Sequence, residues 1–207
     1  MPIKAPRSTP RQLQRRIREE DPVRRRFSVD EYYRMAQAGL FQGQRVELVD
    51  GEVLRTSPQG SPHATAVSLI THLITGLLDK NYSARVQVPL ALGDDTEPEP
   101  DFAVVRGSPR QYAHSHPSTA SLIIEVSDTT LHYDRTIKSG IYARAGVAEY
   151  WILDLGHRRL EICREPMVLP GKRGGHGYKV RSKHGEDEKV SPVFAPEIEI
   201  SVADLLP

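Results

Sequence analysis

The sequence predicts an α/β protein: a central mixed β-sheet with helices on its faces. Three observations carry that expectation. Ala66, Leu69, Ile70, Leu73, Ile74, Leu77 and Leu78 recur at three-and-four spacing, one wide apolar stripe of a helix that packs on a sheet. Three strand-like runs follow, at 84–92, 101–106 and 121–127. A helical stretch over 134–145 then leads to an apolar run at 149–155, and a strand reached through a crossover helix is expected to lie parallel to the one before it.

In chain order, residues 1–26 form a basic leader, with Lys4, Arg7, Arg11, Arg15, Arg16, Arg18, Arg24, Arg25 and Arg26 set against Glu19, Glu20 and Asp21. It reads either as a nucleic-acid contact or as a solvated segment. Ser28 and Glu31 make a capping box, Phe27 and Tyr32 a hydrophobic staple, and the helix they open runs to about residue 38, before Gly39. Alternating residues on either side of Asp50-Gly51 predict a β-hairpin over 45–49 and 52–55. Ser61, as cap, and Pro62 open the long apolar-striped helix, with His63 in its first turn.

Gly93 to Thr96 marks a turn between the first two strands of the sheet, Pro98 and Pro100 keep the approach to the second extended, and 107–119 reads as a loop. Asp134 can cap the crossover helix, which ends at Gly146. Residues 159–163 read as another strand. The glycine-rich stretch 166–177 lacks the strand-turn-helix context of a phosphate loop. Residues 178–181 and 189–193 are expected to pair as a peripheral hairpin across His184-Gly185, followed by a short strand at 197–200 and a turn at 202–206.

A chain of 207 residues can bury a sizeable core, so a single domain over 27–207 is expected behind the leader. No apolar run is long enough to cross a membrane, and no secretory leader is visible. Cys163 is the only cysteine, which excludes an internal disulfide and a multi-cysteine zinc cage. These features point to a soluble protein of the cytoplasm. The net charge of +1 argues against a general polyanion binder.

Two carboxylates stand where they need justification. Asp101 opens a strand, and Glu125 interrupts the run Leu122-Ile123-Ile124-Glu125-Val126, so that one face of 121–127 is dry and the other contains the acid. An unpaired buried carboxylate costs several kcal/mol, so it finds a partner, a metal or a proton. Arg85, Arg106, Arg135 or Arg144 could satisfy these acids by ion pairing. Alternatively, acids on adjacent strands can hold Mg²⁺ or Mn²⁺, with Lys138 on the next helix beside a phosphodiester. Taken alone, Lys138 also makes an ordinary helix pair with Asp134, four residues earlier.

Five blocks, in order, carry a resemblance: ELVDGE at 47–52, PHAT from Pro62, PDFAVVR at 100–106, IIEVSDTTLHYDRTIKSGIYARAG at 123–146 and EYWILD at 149–154. Together they resemble the Uma-type restriction endonuclease family of the PD-(D/E)XK nuclease superfamily, over about residues 27–164, with 165–207 left as a peripheral β extension. The resemblance implies an αβββαβ restriction-endonuclease-like core and Mg²⁺-dependent (or Mn²⁺-dependent) cleavage of DNA. It also implies a homodimer, by analogy with nucleases that cut both strands. Pro100-Asp101 would supply the PD and Glu125-Val126-Ser127 the (D/E)XK, with Ser127 where lysine is expected and Lys138 in its stead. Asp101, Glu125, Val126 and Glu47 would be the metal ligands, and His63 a phosphate or water contact or a helix-cap histidine. The alternative is a catalytically inert nucleic-acid-binding or protein-interaction module on the same scaffold.

Overall fold

Local chemistry starts each element where the chain needs it. In the computed structural model, which describes residues 23–170 and 175–207, helix α1 spans Val29–Gln37. Its capping box is complete: Ser28 Oγ accepts from the Glu31 N–H at 3.2 Å, and Glu31 Oε2 accepts from the Ser28 N–H at 3.1 Å. Strands β1 (Val46–Val49) and β2 (Glu52–Arg55) pair antiparallel around Asp50 (φ 48°) and Gly51 (φ 75°), the two left-handed residues of a hairpin turn. Most of the basic leader and the middle of the glycine-rich stretch lie outside the described residues.

Helix α2, Ser61–Leu77, buries Ala66, Val67, Ile70 and Ile74. Its cap is Gly60, one residue before the expected serine, and makes no side-chain bond. Ser61 and Pro62 are already helical, because proline lacks the N–H that the first turn leaves unpaired anyway.

Six strands then form one sheet in the order β3-β4-β5-β6-β7-β8. They are β3 (Tyr82–Arg85), β4 (Phe102–Arg106), β5 (Leu122–Ser127), β6 (Glu149–Asp154), β7 (Arg159–Val168) and β8 (His176–Gly185). Only β5 and β6 run parallel; the other neighbours are antiparallel, which makes the sheet mixed as expected. The crossover between them is α3, three continuous segments: Leu131–Tyr133, a π-helical Asp134–Lys138, and Ser139–Arg144. Two two-residue strands, β9 (Lys189–Val190) and β10 (Ile200–Ser201), pair at the C-terminal end. No helix among the described residues is long and apolar enough to cross a membrane.

Three expectations need correction. Of 84–92, only Ala84 and Arg85 pair in the sheet, as the end of a strand that starts at Tyr82; Gln87 then turns left-handed at φ 52° and Pro89 has no N–H to offer a ladder. Residues 178–181 do not pair with 189–193. They belong to β8 and pair with β7, which runs on past Cys163 to Val168 through a left-handed Glu165. The charged Arg164-Glu165 and Pro166 interrupt the strand pattern in sequence, yet the ladder continues across them. Asp134 is no cap, since α3 begins at Leu131 and buries Asp134 within it.

Both faces of the sheet are covered. α2 lies over Phe102, Leu122, Ile124 and Trp151, and α3 over Ile123, Tyr150 and Ile152. All six residues of β5 are buried, so Glu125 sits in a covered face rather than a wet one. A second acid, Glu149, is fully buried and saturated. It accepts from Trp151 Nε1 at 2.9 Å, Arg164 at 2.6 Å and the Val193 N–H at 2.7 Å, which ties the C-terminal segment to the sheet.

Candidate active site

Strand pairing brings the two acids together. Phe102 faces Ile124 across β4 and β5, so continuing that register by one residue sets Asp101 opposite Glu125. Both are buried, and the Asp101 N–H lies 3.5 Å from Glu125 Oε2. They line a cavity of about 400 Å³ that also takes in Glu47, His63, Tyr133 and Lys138.

Asp101 is locked at both oxygens. Oδ2 accepts from the Val126 N–H at 2.9 Å, and Oδ1 from Gln87 Nε2 at 3.1 Å, with His63 Nε2 at 3.0 Å. Burial would raise its pKa, but the His63 contact, the Val126 N–H and the Lys138 charge outweigh it and hold the carboxyl below its ordinary range. An ionised carboxylate only accepts, so His63 donates through Nε2. Gln87 reaches this acid because its left-handed backbone turns the chain after β3; no pattern in the sequence announces it.

Glu125 lies in a different balance. Its Oε1 accepts from Lys138 Nζ at 2.9 Å and from Tyr142 Oη at 2.5 Å. Burial pushes its pKa up to about 8, with Asp101 and Asp134 adding to the rise and Lys138 and Tyr142 opposing it. For Lys138, burial favours loss of the proton, but Glu125, Glu47 and Asp134 overcome this and keep the amine an ammonium. The lysine therefore comes from the helix to the acid on the strand, while Ser127 lies buried beside Asp134.

The π-helical segment of α3 makes this reach. The Ser139 N–H bonds back to the Asp134 carbonyl, five residues away, and the wider turn presents Asp134, Lys138 and then Tyr142 to the sheet. Asp134 bonds to Thr130 Oγ1 at 2.6 Å, and Lys138 bonds to Glu125. The surface helix pair expected for Asp134 and Lys138 is thus replaced by a buried arrangement. None of the four arginines considered as partners bonds Glu125: Arg85 turns to Pro89 and His116, Arg106 lies over the Tyr82 ring, Arg135 pairs with Glu161, and Arg144 pairs with Asp50.

Glu47, on β1, is buried; its Oε2 accepts from the Glu99 N–H at 3.2 Å. Sequence reasoning missed Gln87, Tyr133 and Tyr142. Tyr142 had a signal, since it follows Lys138 by four residues and so shares its helix face. The Tyr133 hydroxyl is buried with no hydrogen-bond partner among the described residues, and burial together with the Glu47 charge keeps it protonated. Tyr142→Phe keeps the ring packed on Tyr150 and removes one donor to Glu125, so a loss of about 1 kcal/mol is expected in chemical denaturation at neutral pH.

Residues 29–203 match the Uma2 family, described as "Putative restriction endonuclease". Among solved structures, the chain is similar to a protein from Anabaena variabilis described as "a putative nuclease belonging to DUF820". The TM-score is 0.59 at 17% identity, covering 86% of this chain and 97% of that one. At that identity the likeness is one of fold. No curated protein matches the chain.

Proposed function

The chain belongs to the Uma2 family, and from that membership together with the acid–lysine pocket we propose that it is a metal-dependent endonuclease hydrolysing phosphodiester bonds of DNA. One observation carries the reading: Asp101 and Glu125, from adjacent strands, share a cavity in which the Lys138 ammonium stands 2.9 Å from Glu125.

The donor set fits Mg²⁺ or Mn²⁺, which take hard oxygen ligands and keep several waters, so one or two carboxylates suffice. Among the described residues no three His, Cys, Asp or Glu side chains converge to hold an ion by themselves. Asp101, Glu125 and Glu47 would contribute carboxylate oxygens, and among the described residues Glu125 Oε2 has only the 3.5 Å contact from the Asp101 N–H. Val126 would contribute its carbonyl. Its N–H points to Asp101, a strand residue's carbonyl points the same way, and Pro100, opposite in register, has no N–H to engage it. When bound, such an ion supplies a polarised phosphodiester oxygen and a more acidic water.

The chain's own groups do the rest. His63, Gln87 and the Val126 N–H fix the orientation of Asp101. Lys138, on a flexible four-carbon stem, donates to charge developing on the phosphate. Tyr142 holds Glu125 by one oxygen and leaves the other turned to the cavity. Lys138 takes the part of the lysine missing at Ser127, which favours an active site over an inert module. A homodimer, each copy cutting one strand, belongs to the same proposal.

Asp101→Asn keeps the shape and removes the charge. With Mn²⁺ or Mg²⁺ present, the wild-type chain is expected to nick plasmid DNA, and the variant to lose at least about 100-fold of that rate, on the scale of losing one group that stabilises transition-state charge. Cleavage undiminished in the variant, or lacking in the wild type with either ion, would overturn the reading.

A further inference from the structure

Across the sheet from the cavity, the register sets Glu125 beside Ile152, Ile152 beside Glu161 and Glu161 beside Lys183, so all four share a face. Adjacent strands are about 4.8 Å apart, which places Glu161 and Lys183 roughly 10 and 14 Å from the Glu125 position. The next row pairs Ser127 with Asp154 and Asp154 with Arg159. This end of the sheet is layered. The carboxylates lie underneath, Asp154 at 3% and Glu161 at 10% exposure, and cations lie on top: Arg159 at 26%, Arg135 at 30% and Lys183 at 59%.

Arg135 and Arg159 each touch both acids. Lys183 reaches Glu161 only at 3.8 Å. Exposed Arg181 pairs with no carboxylate among the described residues; it donates to the Arg135 carbonyl and to Ser139 Oγ. Four cations over two sunken acids leave a positive face. It adjoins the cavity, because Thr130 and Asp134 line the cavity while Arg135, next in the chain, turns to Glu161 and Asp154. The cavity itself is rich in acids and would repel a polyanion, so a chain of phosphates entering it needs attraction alongside.

We propose that the face formed by Arg135, Arg159, Arg181 and Lys183 is the docking surface for the phosphodiester backbone of the substrate, holding phosphates a few nucleotides from the bond at Asp101 and Glu125. The inference rests on the nuclease reading for its substrate. Guanidinium forks suit phosphate oxygens, and each Arg retains donors beyond those its carboxylates use. Backbone contacts of this kind position a nucleic acid without reading its sequence.

Lys183 is the position to test, since its removal uncovers no buried acid. In EDTA, where no turnover interferes, the full chain is titrated with a fluorescent DNA duplex of about 20 base pairs over a range of salt. Lys183→Gln is expected to weaken binding about five- to tenfold at about 0.1 M salt and to lower the slope of log affinity against log salt by about one. Lys183→Glu should weaken it further. Hydrolysis of bis(p-nitrophenyl) phosphate, a diester small enough to need only the cavity, should be unchanged in both variants. Equal affinity and equal slope in the variants overturn the surface. Displacement of the duplex by poly-glutamate at equal charge overturns it in favour of an acidic protein partner. Loss of turnover in the wild type alone would sink the nuclease reading and leave the altered slope standing.

Discussion

Lys138→Ala is expected to cost the protein about 3–5 kcal/mol of stability and its turnover together. The ammonium is nearly buried and faces Glu125, with the Glu47 and Asp134 charges close by, and no arginine of the described residues stands ready to replace it at Glu125. Breaking a buried pair from the cationic side leaves the carboxylate uncompensated, which is why the loss exceeds that of an exposed ion pair. For a chain of this length each kcal/mol moves the melting temperature by about 2–4 °C, so a drop of roughly 10 °C should appear by calorimetry at about pH 9, where the Glu125 carboxyl, pushed up to about 8, is ionised. Adding Glu125→Gln removes the orphaned charge. The Lys138→Ala/Glu125→Gln double variant should therefore regain most of the lost melting temperature and none of the cleavage. That pattern separates catalytic loss from unfolding. An unchanged melting temperature in Lys138→Ala, with cleavage retained, would remove the lysine from the site.

The sheet was legible in the sequence because its strands are short apolar runs bounded by Gly, Pro and Asp, and because α2 carries an uninterrupted stripe. The parallel pairing of β5 and β6 followed from the crossover helix between them. Pairing over long distances was harder to read. Residues 178–181 looked like half of a local hairpin because a ladder through Arg164, Glu165 and Pro166 has no alternating pattern to show itself. Asp101, Glu125 and Lys138 stood out singly as charges in apolar or helical surroundings. Their meeting depended on a π-helical turn that no propensity signals. Gln87 was hidden for a similar reason, since it reaches Asp101 through a left-handed backbone that follows the irregular segment after β3.

Glu125 also sets an expected pH dependence. Its carboxyl is pushed from an ordinary 4.5 up to about 8, so the folded protein holds this proton more tightly than the unfolded chain. Between those values the folded state binds more protons, and stability must fall as pH rises, with the full penalty reached above about 8. Asp134, also raised, acts in the same direction; Asp101, lowered, contributes stability that is lost only as pH falls into the acid range. In EDTA the wild-type melting temperature should thus decline from about pH 5 to about pH 8 and level off above it. Glu125→Gln retains an acceptor for Tyr142 and leaves Lys138 facing Glu47 and Asp134. It should flatten the decline and be more stable than wild type by about 2 kcal/mol near pH 8.5, a discounted share of what the shift implies. Cleavage should be absent in the same variant at every pH. A protein made sturdier by losing its central acid is one in which that acid is kept at a cost in folding, as expected where function conflicts with stability. Parallel melting profiles for the two proteins would show instead that Glu125 titrates as an ordinary carboxylate, and would remove the strained acid from the account of the site.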